Sequence, residues 1–173
     1  MKKLSAARRL ALSAVLTALA LGLSYAERAI PLGLVIPLPG IKLGLANIVT
    51  LFALYALGPA QALGILLCRC TLGAFFAGNL NALIYSLFGG LTAMLTMILL
   101  RRGKHLSVYG VSLGGAAAHN CGQVAAAVWT LGTSSSLAYL PVLLGVSLLS
   151  GGLTGFLSAL LFRAMSHVDL TSK

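Results

Sequence analysis

Three basic residues lie within or beside apolar stretches of the sequence. Lys42 lies in "LPGIKLGLANIVTLFALY", Arg69 in "LLCRCTLG", and Arg28 directly after the first apolar segment. The carboxylate placed to neutralise them is Glu27, because the other acidic residue, Asp169, lies near the C-terminus. An ionised side chain inside a membrane helix costs at least about 2.5 kcal/mol and by default indicates a functional site. Three cations against one carboxylate therefore predict a binding site for an anion.

Structural roles for the same cations stay open. Arg28 and Lys42 could extend their charged groups to the membrane surface, as long basic side chains do. Arg69 could instead be a structural arginine that donates hydrogen bonds to backbone carbonyls. The surplus of positive charge that the single carboxylate leaves favours the anion site over these alternatives.

A second polar group lies in "AAAHNCGQVAAA". His119 and Gln123 are four residues apart and share a helix face, whereas Asn120 lies about 100° around the helix from His119. Polar residues in a membrane helix often serve only as contacts between helices. Three of them within five positions favour the wall of a polar pocket.

Lys42 and Asn47 pose a geometric question. They are five residues apart, which is about 140° around a regular helix, so the two side chains cannot both face one narrow pocket. Either the helix start is irregular at Gly44, or Asn47 makes an interhelical contact and Lys42 alone meets the ligand.

Composition indicates the setting of these residues. The chain of 173 residues is 59% hydrophobic and 8% charged, with a mean hydropathy of +1.01. Too little polar surface remains for a water-soluble domain, so the chain is predicted to be a membrane protein. At about 20 residues per crossing, one domain over residues 1–173 has room for about six helices. We predict an all-α bundle of six transmembrane helices near residues 8–26, 41–57, 59–78, 80–100, 107–131 and 138–164.

The basic residues predict the orientation. They cluster before the first helix, after the fourth and at the end of the sixth, which places both termini in the cytoplasm. The net charge of +10 then reflects topology and contact with anionic membrane lipid, and it gives no reason to expect nucleic acid. The basic, apolar N-terminus also fits a signal peptide, but we expect an uncleaved first helix because its apolar stretch continues to about Ala26.

Small residues mark two helix faces. Ala14, Ala18 and Gly22 recur at four-residue spacing on the first helix and predict a flat face for a partner's membrane helix. A stripe in the fifth helix, which comprises Gly114, Gly115, Ala118 and Gly122, predicts close approach of a neighbouring backbone.

Other chemistries find no support in the sequence. Cys68 and Cys70 point about 200° apart on a helix, so with Cys121 they are interpreted as membrane cysteines without a role. The sequence contains no P-loop, zinc-protease motif, nucleophile elbow or dinucleotide fingerprint. We therefore expect no catalytic residues, no metal site and no cofactor, and we predict that the chain is not an enzyme.

Several of these motifs together resemble one family. "PGIKLGLANIVTLFALYALG", the arginine of the third helix, "NALIYSLFGGL" and "GAAAHNCGQ" resemble the Gx transporter family, whose older label is heptaprenyl diphosphate synthase component I. Members of that family resemble the substrate-binding S components of energy-coupling factor (ECF) transporters. S components are six-helix proteins that bind a micronutrient from outside and work with a membrane T subunit and two ATPases.

The resemblance implies a multi-pass protein of the bacterial cytoplasmic membrane with an outward-facing pocket. In that pocket Lys42 and Arg69 would neutralise an anionic or polar micronutrient or an isoprenoid- or quinone-related precursor, and hydrogen bonds would come from Asn47, His119, Asn120 and Gln123. The loop "ERAIPLGLVIPLPG", with Glu27 or Arg28, would close it. The resemblance also implies that Ala14 and Ala18 match an Ala-xxx-Ala motif that contacts the T subunit.

The older label suggests a second function. Prenyl chain elongation needs clustered aspartates that hold Mg²⁺ on a diphosphate, and this chain has a single aspartate. It cannot itself be that catalyst. The alternative is a non-catalytic membrane accessory subunit of a prenyl-diphosphate synthase, or of a quinone or flavin electron-transfer system.

Overall fold

The chain folds into helices throughout the part that the structure describes. The computed structural model describes residues 5–29, 42–103 and 106–166. Two short 3₁₀ helices, at Glu27–Ala29 and Ser134–Tyr139, precede α2 and α6. The six α-helices are α1 (Ala6–Ala26), α2 (Asn47–Ala56), α3 (Pro59–Ala77), α4 (Leu80–Arg101), α5 (Val108–Leu131) and α6 (Leu140–Ser166). The predicted all-α fold with six helices is confirmed within the described ranges.

Four segments are long and apolar enough to cross a membrane. They are Ala6–Ala29, Pro59–Ala77, Leu80–Arg101 and Ser134–Arg163. α5 has 24 residues and is therefore about 36 Å long, but its polar residues lower its apolar character. It packs between α4 and α6, with α4 as its more extensive neighbour. The membrane class predicted from composition follows from these helices.

The helix α2 begins later than the second span predicted near residues 41–57. α2 begins at Asn47 and contains 10 residues, so it rises about 15 Å and reaches about half-way through the hydrocarbon core. Residues 42–46 precede it without helical structure. Gly44 has a φ of 83°, a conformation that interrupts a helix and that other residues rarely adopt. The other five helices begin and end within two residues of the predicted bounds.

Local sequence signals explain the start of α3 and the sharp turn between α3 and α4. Pro59 occupies the first turn of α3, where its missing N–H costs no hydrogen bond. Gly78 ends α3 in the left-handed conformation, with a φ of 59°. The Asn79 side chain then caps α4 by accepting hydrogen bonds from the Asn81 and Ala82 amides. The two helices are consequently antiparallel neighbours.

Packing places α2 at the centre of the bundle. Its residues Asn47–Leu54 are all buried, and it contacts α1, α3, α4 and α6. The larger hydrophobic cluster surrounds it, with Leu51 and Phe52 at its middle. A smaller cluster around Tyr85 and Val124 joins α4 to α5. A short helix surrounded by protein can hold polar groups at its start without exposing them to lipid.

The small-residue stripe of α5 lies against α4, as predicted. A Cβ atom at Gly122 would approach the Thr92 hydroxyl and lie 2.5 Å from the Phe88 carbonyl oxygen. At Gly115 it would lie 2.7 Å from the Met97 side chain. The Thr92 hydroxyl also donates to the Ala118 carbonyl at 2.9 Å. The two helix backbones are therefore in close contact, which only very small side chains allow.

One end of the bundle, here called the basic end, carries the start of α1 and the ends of α4 and α6. Arg101 donates to the Leu54 carbonyl, and its guanidinium lies 4.7 Å from the centre of the Tyr55 ring. That ring packs edge-on against Phe162 of α6. Arg9 of α1 shares a surface hollow with Gln61, at the start of α3. The predicted cytoplasmic orientation of this end remains a prediction.

The α4–α5 contact gives a stability test. Gly122→Ala should lower the free energy of unfolding by about 1–3 kcal/mol, because the added methyl group meets backbone atoms of α4. The thermal unfolding temperature in mild detergent measures the effect. Gly145→Ala is the matched control, since its Cβ would meet no atom within 4 Å. Equal unfolding temperatures for the two variants would contradict the described helix contact.

Candidate functional site

Glu27 holds the non-helical segment that precedes α2. One carboxylate oxygen accepts a hydrogen bond from the Gly44 amide at 2.7 Å, and the other accepts from the Leu45 amide at 3.3 Å. Glu27 is only 3% exposed. Gly44 and Leu45 precede α2, so their amides have no helical acceptor, and Glu27, directly after α1, supplies it.

Gln123 of α5 binds the same segment from the opposite side. Its Oε1 accepts from the Lys42 amide at 3.0 Å, and its Nε2 donates to the Lys42 carbonyl at 3.0 Å. Gln123 is completely buried. This pair of hydrogen bonds satisfies one residue of backbone outside any helix, as a neighbouring strand would.

The Lys42 side chain extends toward α4. Its Nζ donates to Ser86 Oγ at 2.8 Å. Ser86 is buried, and sequence reasoning did not identify it. Its place in "NALIYSLFGGL", as a hydroxyl within an apolar helix, was the signal that could have suggested a contact.

Arg69 contacts α2 and retains an unused donor. Its Nη2 donates to Asn47 Oδ1 at 3.2 Å, and Nε is buried without a hydrogen-bond partner among the described residues. The residue is 6% exposed. The structure resolves the geometric question in favour of a helix start that is irregular at Gly44. Lys42 and Asn47 can therefore both lie near Arg69.

His119 is held between two glycines. A Cβ atom at Gly44 would lie 2.9 Å from its Cδ2, and a Cβ atom at Gly89 would lie 2.8 Å from its Nδ1. Gln123 Nε2 contacts His119 Nε2 at 2.5 Å. Since Lys42 fixes the orientation of the Gln123 amide, His119 Nε2 accepts this hydrogen bond, and the ring is neutral with its proton on Nδ1. Both glycines are required for the ring to fit.

These side chains form one electrostatic group, here called the polar cluster. Glu27 experiences the charges of Lys42 and Arg69, and His119 lies within the field of both cations. Two cations and one carboxylate leave one positive charge. The members of the polar cluster are Glu27, Lys42, Asn47, Arg69, Ser86, His119 and Gln123.

Two predicted site residues make their hydrogen bonds elsewhere. Arg28 is exposed; it donates to the Gly73 carbonyl at 3.3 Å and lies 5.7 Å from the Tyr25 ring centre. Asn120 donates to the Leu143 carbonyl at 2.7 Å and so links α5 to α6. The exposure of Arg28 fits the alternative in which its charged group extends to the membrane surface, and the Asn120 contact fits the alternative of an interhelical polar link. The loop predicted to close the pocket lies outside the described residues from position 30 to position 40.

The small-residue face of α1 is accessible. Ala14, Ala18 and Gly22 are exposed, and a Cβ atom at Gly22 would meet no atom within 4 Å. Ala14 and Ala18 line a groove of about 530 Å³ between α1 and α3. The face predicted for a partner helix is thus open in this structure.

Sequence reasoning also missed a polar face on α6. Four buried hydroxyl residues recur there at helical spacing, and Ser158 donates to the Ile48 carbonyl at 3.2 Å. Their spacing was visible in the sequence. They are Ser147, Ser150, Thr154 and Ser158.

Together the helices and the polar cluster define a class of protein: a helical membrane protein with a buried, net cationic site. The family model described as heptaprenyl diphosphate synthase component I matches residues 16–161. The chain belongs to this family, and the resemblance noted from the motifs is confirmed for the older label of the family. Searches of curated proteins and of solved structures returned no match. The family description names one component of a synthase and thereby indicates a multi-component assembly.

The paired hydrogen bonds of Gln123 give a local test. Gln123→Leu should leave the Lys42 amide and carbonyl without partners, at a cost of about 1–3 kcal/mol for each buried group. Hydrogen exchange of peptides that contain Lys42 should therefore become faster. Gln61→Leu, the same change at a half-buried position near the start of α3, should leave that exchange unaltered. Unchanged exchange in Gln123→Leu would contradict the described pairing.

Proposed function

We propose that the protein is a substrate-binding membrane subunit, similar to the S components of ECF transporters. It captures a small anionic or polar molecule in a pocket that opens to the outside. Candidate ligands are a micronutrient and an isoprenoid- or quinone-related precursor. The protein itself carries out no covalent chemistry.

The observation that carries this proposal is the state of Arg69. Its guanidinium is buried beside a second cation, and its Nε has no partner among the described residues. A buried donor of this kind is costly unless it acquires an acceptor. A carboxylate or phosphate oxygen would satisfy the donor and neutralise the surplus charge of the polar cluster.

Other members of the polar cluster have supporting roles in this proposal. Lys42 adds a second cation to the ligand site. The side-chain oxygen of Asn47, Oδ1, orients Arg69. Gln123 fixes the backbone at Lys42, and His119 contacts Gln123. Asn120 supplies a further hydrogen bond at the edge of the pocket, and Glu27 and Arg28 belong to its closure.

The energy for uptake comes from partners in this proposal, since the sequence has no nucleotide-binding motif. A membrane T subunit and two ATPases form the complex in the bacterial cytoplasmic membrane. The exposed face of Ala14, Ala18 and Gly22 supports helix docking, because small residues let two helix backbones approach closely.

A second candidate function rests on the family description. In this alternative the chain is a non-catalytic accessory subunit of a prenyl-diphosphate synthase, or of a quinone or flavin electron-transfer system. The word "component" in that description is the observation that favours it. The polar cluster would then bind a group of the substrate that a soluble partner converts.

Substitution of the two cations tests ligand binding. Lys42→Met and Arg69→Met should each reduce retention of a co-purifying small molecule at least tenfold, because each removes a charged hydrogen-bond donor. Native mass spectrometry of protein in mild detergent measures the retention. Arg102→Met, at the basic end, is the control and should retain it fully. Full retention in both site variants would contradict the anion site.

Affinity capture from native membranes separates the two functions. We expect a membrane T subunit and ATPase subunits to co-purify with the wild-type protein, and Ala14→Leu/Ala18→Leu to reduce their recovery by steric obstruction. Ala125→Leu, on an exposed position of α5, is the control. Recovery only of a soluble prenyltransferase or flavoprotein would favour the alternative instead.

A further inference from the structure

A continuous groove runs between α1 and α3 from the basic end of the bundle. A hollow of about 290 Å³ lies at this end, between the first turns of the two helices. The larger groove of about 530 Å³ adjoins it, because both are lined by Leu10, Ser13 and Gln61. Arg9 lies at the mouth, and the remainder of the groove is almost wholly apolar.

The length of this groove corresponds to one leaflet of a bilayer. Along α1 its lining extends from Leu10 to Leu21, and along α3 from Gln61 to Leu72. Eleven helical steps rise about 16 Å, which is half of the roughly 30 Å hydrocarbon core. The groove ends where Leu21 packs against α3, 3.6 Å from the Cβ position of Gly73.

We propose that this groove binds one anionic phospholipid from the leaflet at the basic end. Its acyl chain lies along the small residues Ala14, Ala18 and Gly64, and its phosphate lies at Arg9, with Ser13 and Gln61 as further hydrogen-bond donors. The positive-inside rule makes this leaflet the cytoplasmic one, where anionic lipids attract basic residues. The proposal concerns the protein without its partners, because a T subunit docked on Ala14 and Ala18 would occupy the same face of α1.

The dimensions favour a lipid chain over a partner helix in the isolated protein. A helix with side chains is about 10–12 Å wide and crosses both leaflets. The lining of the groove spans about one leaflet, and Arg9 at its basic end is a cation suited to a phosphate. A partner helix that docks on the exposed face of α1 would have to displace the lipid.

Native mass spectrometry tests the charged end. The full-length protein is exchanged into mixed micelles that contain equal amounts of phosphatidylglycerol and phosphatidylcholine. We expect one phosphatidylglycerol to remain bound to the wild-type protein. Arg9→Gln should lower this retention about fivefold, because one basic residue contributes about 1 kcal/mol to binding of anionic lipid. Arg102→Gln removes the same charge at the same end, outside the groove, and should retain the lipid fully. Equal loss in both variants, or equal binding of both lipids, would overturn the proposal.

A second pair of variants tests the apolar part. Gly64→Leu should fill the groove, whereas Gly145→Leu adds the same side chain on α6; at neither glycine would a Cβ meet an atom within 4 Å. Only Gly64→Leu should abolish cross-linking of α1 and α3 by a photoactivatable acyl-chain phosphatidylglycerol. Cross-links that persist in Gly64→Leu, or that map to other helices, would overturn the site.

Discussion

The arrangement of the site depends on one interaction, the capping of Gly44 and Leu45 by the Glu27 carboxylate. Gly44 breaks the helix, and a break inside a bundle exposes amides that must find acceptors. Glu27 provides them at 2.7 and 3.3 Å. Because those amides are satisfied, α2 can begin at Asn47, and the backbone of Lys42 can reach Gln123 of α5.

The same carboxylate cannot also neutralise both nearby cations. Its two oxygens accept backbone hydrogen bonds, and the charges of Glu27, Lys42 and Arg69 together leave one positive unit. Ser86 and Asn47 accept from Lys42 and Arg69 without contributing charge. A bound anion would neutralise this surplus charge, and the closely packed α4–α5 pair lies beside the site. This surplus charge is the physical basis for the binding function that we propose.

Much of the fold was predictable, whereas the details of the site were not. Helix bounds follow from apolar length and from local caps such as Asn79 and Gly78. Lys42 and Arg69 could be singled out because charges are rare in membrane helices. An irregular start of α2 at Gly44 was one of two alternatives, and the sequence could not decide between them because the break depends on the distant Glu27. The pairing of Lys42 with Gln123 joins residues 81 positions apart, which no local pattern indicates.

The central claim is that the polar cluster is completed by a bound anion. An experimental density map of the protein, purified in mild detergent and resolved to side chains, tests it most directly. We expect non-protein density within hydrogen-bond distance of Arg69 Nε, on the side of the cluster that contains Lys42. A map in which Arg69 Nε donates to Glu27 or to a protein carbonyl, with no such density, would contradict the account.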